Sequence, residues 1–173
     1  APTVLSYLFA GIVQVESIRR QTLLEMDTTE ERLAELARLL ELEISLLERY
    51  ADLEQMRLGE RLRITWEIDA APSDALLPPL VLQPLLENAI YHGVEPGTGP
   101  SDVTVQIERR GNRVLASIEN PYLEAEVQRA GNRMALENIR ERLQLFFDAE
   151  ARITTSAANG RYRVEIEIPY RHE

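Results

Sequence analysis

The chain has no cysteine, so it can build neither a disulfide framework nor a thiolate metal site. It has no apolar run of the length that a bilayer span requires. It has no basic excess: Asp and Glu number 29 against 19 Lys and Arg, a formal net charge of −10. That balance excludes a surface that binds nucleic acid by neutralising phosphates. Histidine is scarce, with only His92 and His172. Internal repeats and low-complexity segments are absent too. What is there is a 173-residue chain of ordinary apolar content, 45%, enough for one domain or for one domain with a helical appendage. The apolar stretch over residues 4–15 is short and is preceded by no basic region, so it does not read as a signal peptide. The chain starts with Ala rather than Met, which reads as a piece of a longer protein and leaves room for a membrane anchor upstream.

The first part is helical in pattern. Leu5, Leu8, Ile12 and Val15 step by three and four within residues 4–26. Asp27-Thr28-Thr29 is a break and an N-cap, and a second helix is expected over residues 30–58, ending at Gly59. It carries two apolar stripes, Leu33, Leu36, Leu40, Ile44, Leu47 and Ala51 on one side and Leu39, Leu42, Leu46, Tyr50 and Leu53 on the other. So wide an apolar face needs cover on more than one side, which a dimeric four-helix bundle supplies. The alternative is a hairpin lying on the domain C-terminal to it.

From Arg61 the period changes to two. Leu62, Ile64, Trp66 and Ile68 alternate with polar residues, as in a half-buried strand. A helix over 82–92 comes next. Strands are expected around Val103–Ile107 and Val114–Ile118, joined by a turn at Arg110-Gly111-Asn112. A long helix is expected over 132–147, then a short strand at Ile153, a hairpin turn at Asn159-Gly160, and a last strand through Tyr162, Val164, Ile166 and Ile168. This order predicts an α+β fold with helices on one face of a mixed, mostly antiparallel sheet.

The central stretch is Gln83-Pro-Leu-Leu-Glu-Asn-Ala-Ile-Tyr-His-Gly93. Pro84 suits a helix's first turn, and Gly93 suits its end. Leu82, Leu85, Leu86, Ala89 and Ile90 form an apolar face. Asn88 and His92, four residues apart, share another face. An amide oxygen there can bind a hard cation such as magnesium, and the neighbouring Glu87 can act as a base. Spacing alone favours an ordinary amphipathic helix with a polar last turn.

The stretch resembles the N box of the GHKL ATPases, specifically of LytS- and AlgZ-type sensor histidine kinases. Arg57-Leu-Gly-Glu-Arg-Leu62 is similar to the helix-to-strand junction of the AlgZ subgroup, and Gly131-Asn-Arg-Met-Ala-Leu-Glu-Asn-Ile-Arg-Glu-Arg-Leu143 to the family's glycine box and the helix it opens. The resemblance implies the GHKL (Bergerat) fold over residues 60–173, with dimerisation and a phosphoacceptor-like region over 1–59. It implies ATP and Mg2+ as cofactors, Asn88 on the metal, and Glu87 and His92 as the catalytic residues. Asn120 falls where the family's adenine-binding Asp stands, and its amide keeps a carbonyl acceptor. Gly131, Asn132 and Arg133 are the expected phosphate-binding residues at a helix start, with Arg133 and Ala135 standing where glycines are usual. Leu5-Ser-Tyr-Leu-Phe-Ala10 aligns with the family's Pro-His-Phe-Leu-Phe-Asn, which puts Ser6 at the phosphoacceptor position. A serine phosphoester is a poor donor to aspartate, so Ser6 does not replace the histidine. The resemblance leaves two functions. One is the cytoplasmic kinase module of a two-component sensor, a homodimer through its N-terminal helices that serves a response regulator. The other is a dimeric signalling scaffold of the same fold that lacks catalysis.

Overall fold

The computed structural model describes residues 38–122 and 130–172. The expectations placed on residues 1–37, Ser6 and the first helix among them, lie outside the described residues. The described residues fall in one compact unit.

The unit opens with β1 (Arg38–Leu39), which pairs antiparallel with β3 (Leu76–Leu77). Helix α1 (Leu40–Leu58) comes directly after β1. Then come β2 (Leu62–Glu67), β3, α2 (Gln83–Gly93), β4 (Ser101–Arg110), β5 (Arg113–Pro121), α3 (Ala130–Phe147), β6 (Arg152–Ala158) and β7 (Arg161–Pro169). The main sheet has the order β2-β4-β5-β7-β6. Among the described strands only β2 and β4 pair in parallel, as a crossover through α2 requires; the other pairs are antiparallel. The fold is the expected α+β one.

One face of the sheet is apolar. On β4 Val103, Val105 and Ile107 are buried, on β5 Val114, Ala116 and Ile118, on β7 Val164, Ile166 and Ile168. They share one core with Leu85, Leu86, Ala89 and Ile90 of α2, Ile139 and Leu143 of α3, and Leu40, Leu47 and Ala51 of α1. The other face carries cross-strand ion pairs, Arg113–Glu167 at 2.7 Å and Arg161–Glu119 at 2.8 Å, as suits a face left to water.

One expectation changes. The second helix does not run through Arg38 and Leu39; those residues are extended, and α1 begins at Leu40. The reason is that its start is capped by tertiary backbone rather than by a local side chain. Leu40 N–H donates to the Ala75 carbonyl at 2.8 Å, and Glu41 N–H to that of Ser73 at 3.3 Å, which satisfies donors that a helix leaves open. The stripe Leu40, Leu47, Ala51 is buried in the core shared with α2 and the sheet. Of the second stripe, Leu42 and Leu53 are exposed.

Candidate functional site

Helix α2 presents three faces. Leu85, Leu86, Ala89 and Ile90 go into the core. Asn88 and His92 look along the helix flank into a narrow cleft, which they share with Leu85, Ala89, Ile118, Asn120, Tyr162 and Val164. Glu87 lies on the exposed side, where its Oε1 accepts a hydrogen bond from Gln83 Nε2 at 2.8 Å. Three of the expected site residues, Asn88, His92 and Asn120, are thus brought together, and Glu87 stands on the neighbouring face.

Asn120 reaches the cleft because strand side chains alternate: it shares the buried face of Val114, Ala116 and Ile118. It is 5% exposed. Its Nδ2 donates to the Pro121 carbonyl at 2.7 Å, which leaves Oδ1 as the acceptor. Asn88 Nδ2 is buried with no hydrogen-bond partner, so this amide is not held by a protein acceptor. His92 packs edge-on against Tyr91, ring centroids 4.9 Å apart. Tyr162 sits opposite Asn120 in the β5–β7 register and lies 6.1 Å from the Tyr122 ring. The spacing of polar residues gives no sign of Tyr162; only the pairing of β5 with β7, two strands distant in sequence, points to it. On the other flank of α2, burial first and then the charges of Glu54 and Glu87 push the Tyr50 phenol of α1 well above its ordinary range.

Gly131, Asn132 and Arg133 fall in the first turn of α3, which starts at Ala130, two residues earlier than expected; side chains of this helix are described from Met134 on. Arg61, which the sequence places at the helix-to-strand junction without a role, has one in the fold. Its Nη2 donates to the carbonyls of Glu95 at 2.9 Å and Gly97 at 2.7 Å, and less closely to that of Val94. It closes the chain that leaves α2, and Arg57 joins it through Glu95.

Among the described residues no group of three or more His, Asp or Glu could hold a metal ion. Magnesium does not need one, since it keeps waters and takes one or two protein oxygens beside substrate phosphates; the Asn88 amide offers one oxygen. The cleft, about 20 Å³, has room for little more than a water, so a nucleotide enters only if its walls part. A larger depression of about 460 Å³ lies around Arg109, Arg113, Tyr170 and Arg171. It sits at the Arg113 end of β5, seven residues and about 23 Å from Asn120. There Arg113 and Arg171 are each paired with a carboxylate, and Arg109 stacks on Tyr170 at 3.7 Å. It shares no residue with the Asn88–Asn120 cleft.

No family model matches the chain. Individual proteins do. The sensor histidine kinase YesM of Bacillus subtilis is 34% identical over 137 residues, 76% of this chain and 24% of YesM. The sensor protein LytS of Staphylococcus saprophyticus is 29% identical over 143 residues, 76% of this chain and 24% of LytS. The chain therefore spans about a quarter of the length of these curated relatives. Among solved structures, the catalytic domain of histidine kinase ThkA matches with a TM-score of 0.58 at 16% identity, over 78% of this chain and 94% of that domain, a likeness of fold. The matched sequence and the matched fold together make this chain a member of the LytS-type sensor histidine kinases, corresponding to their region of GHKL fold.

Proposed function

We propose that the chain binds magnesium–ATP in the Asn88–Asn120 cleft and is the kinase module of a two-component sensor, donating phosphoryl to a histidine and through it to a response regulator. The observation that supports this is the convergence of Asn88 and Asn120, from separate segments, on one cleft with apolar walls, the usual anatomy of a cofactor site. Asn120 Oδ1 accepts a hydrogen bond from the adenine amine, and the walls from Ile118 and Val164 exclude water. Asn88 gives its amide oxygen to magnesium, and the first turn of α3, with Gly131, Asn132 and Arg133, receives the phosphates. The ion supplies charge neutralisation on the transferred group. Since the chain contains no lysine, any charge-assisted phosphate contact comes from arginine. Glu87 stands outside the cleft on the exposed side of α2, with Oε1 bonded to Gln83; its part as base, through Oε2, is toward an acceptor histidine brought to that side, and His92 lies on the cleft side.

The module works as a homodimer through its N-terminal helices, in the cytoplasm, and any membrane attachment comes from segments outside this chain. No helix among the described residues is long and apolar enough to cross a membrane. Calorimetric titration with ATP, with and without magnesium, tests the reading: a magnesium-dependent binding isotherm is expected, and none at millimolar ATP overturns it. The scaffold reading keeps one observation in its favour. Neither His92 nor His172 lies among residues 1–59, so the phosphoryl acceptor must be supplied from elsewhere.

A further inference from the structure

The segment that feeds α2 contains a residue in an unfavourable backbone state, held from two sides. Leu80 has φ of 55°, a region where the Cβ of a bulky residue crowds its own backbone. Two residues on, the Leu82 carbonyl accepts the N–H groups of Leu85 and Leu86, so the conformation at Leu80 sets the direction in which α2 leaves the loop. Glu43 of α1 is 2% exposed, and its Oε1 accepts the Leu80 N–H at 2.5 Å. Arg142 of α3 donates to the carbonyls of Pro79 at 3.3 Å and Leu80 at 3.2 Å. A buried carboxylate is costly unless hydrogen-bonded. The rest of that α1 face is Leu40, Leu47 and Ala51, so packing alone asks for an apolar residue there. The Leu80 N–H gives that carboxylate a directed hydrogen bond.

We propose that Glu43 is a positioning residue for the nucleotide cleft. Its bond to Leu80 holds the loop in the left-handed state and so holds α2 where Asn88 and His92 face Asn120. The functional half of this inference rests on the nucleotide reading; the placement of α2 does not.

The test uses the whole chain and reads two quantities: the side-chain amide resonances of Asn88 and Asn120 without nucleotide, and magnesium–ATP affinity. Glu43→Leu keeps the volume apolar and removes the acceptor. It is expected to shift the Asn88 signals and weaken binding about tenfold, the size of a left-handed penalty no longer opposed. Glu43→Gln keeps an oxygen acceptor and should leave both readouts near those of the parent. Leu80→Gly adopts the same φ without strain, so Glu43→Leu combined with Leu80→Gly should restore both. Arg142→Met, at an exposed position, should move the Asn88 signals the same way by less, again reversed by Leu80→Gly; it serves if Glu43→Leu does not fold. Unchanged Asn88 signals in Glu43→Leu, or a combined variant no better than the single one, would overturn the inference and show that the Glu43–Leu80 bond does not place α2. If the parent chain binds no magnesium–ATP, the nucleotide reading falls, and the amide signals alone decide the placement of α2.

Discussion

A Cβ on Gly93 would lie 2.4 Å from Nδ2 and 2.8 Å from Cβ of Asn120. Gly93 is the last residue of α2 and has no positive φ. Its lack of a side chain therefore serves close approach rather than a helix-ending turn. Asn120 fills the vacated space, and the end of the helix that bears Asn88 and His92 is packed directly on the strand residue across the cleft.

Gly93→Ala should accordingly be destabilising by about 1–3 kcal/mol, the range for forcing a methyl into a filled interior, measured as a lower denaturant midpoint at unchanged slope. Asn120→Ala should recover only part of the loss, because the Cβ of residue 120 itself lies within 2.8 Å. Full recovery by Asn120→Ala would mean that the amide alone sets the spacing.

Asn88→Ala should separate function from fold. The amide nitrogen it removes has no hydrogen-bond partner, so no bond is lost, and stability should change by no more than about 0.5 kcal/mol. Magnesium-dependent nucleotide binding should disappear. Thermal unfolding and calorimetry on the same preparation check both halves.

Arg61→Met should loosen the loop that leaves α2. Three carbonyls, of Val94, Glu95 and Gly97, accept from its guanidinium, and bonds to charged groups are worth about 1.5–3 kcal/mol each at most. Amide exchange over residues 94–97 should speed up well before that of β4 and β5. Equal protection in parent and variant would show that the loop is held by other means.

Much of this fold is legible in the sequence because the informative interactions are local. Asn159-Gly160 announces a hairpin, and both residues have positive φ, 53° and 71°, as a tight two-residue turn demands. The alternation along β5 is enough by itself to put Asn120 on the buried face. The start of α1 is not legible, since the carbonyls of Ser73 and Ala75 cap it and the leucine periodicity runs unbroken through Arg38 and Leu39. Nor is the value of Glu43, whose partner Leu80 is 37 residues away. In the candidate site, the polar types on α2 and at Asn120 can be read from the chain. That Glu87 faces away from the cleft while Tyr162 borders it depends on packing and register between distant segments.

Tyr50 offers a probe of where Glu87 points. Burial is the first cause of its raised pKa, and Glu87 contributes after Glu54. A phenol whose pKa is raised on folding adds stability that is complete below the unfolded value near 10 and lost as pH climbs above it. Tyr50 should therefore resist ionisation in a spectrophotometric titration, as should Tyr170, which its hydrogen bond to Asp74 also raises, and Glu87→Gln should lower the Tyr50 midpoint without returning it to the ordinary value. No change in midpoint would place the Glu87 carboxylate away from α1.

The last prediction concerns assembly. Helix α1 buries Leu40, Leu47 and Ala51 within its own unit, yet Leu42, Leu53 and Met56 remain exposed, Met56 to 82%. With half-buried Leu46 between them, these residues are spaced by four, seven and three, the seam of a helix that pairs with another. Leu53→Glu combined with Met56→Glu places two like charges on that seam and touches nothing in the core. If the proposed dimer pairs along this face, the variant should sediment as a monomer at micromolar concentration where the parent is a dimer, with its thermal unfolding shifted by no more than a few degrees. A variant that stays dimeric would move the contact off this part of α1, and a parent that is itself monomeric would remove the dimer from the proposal.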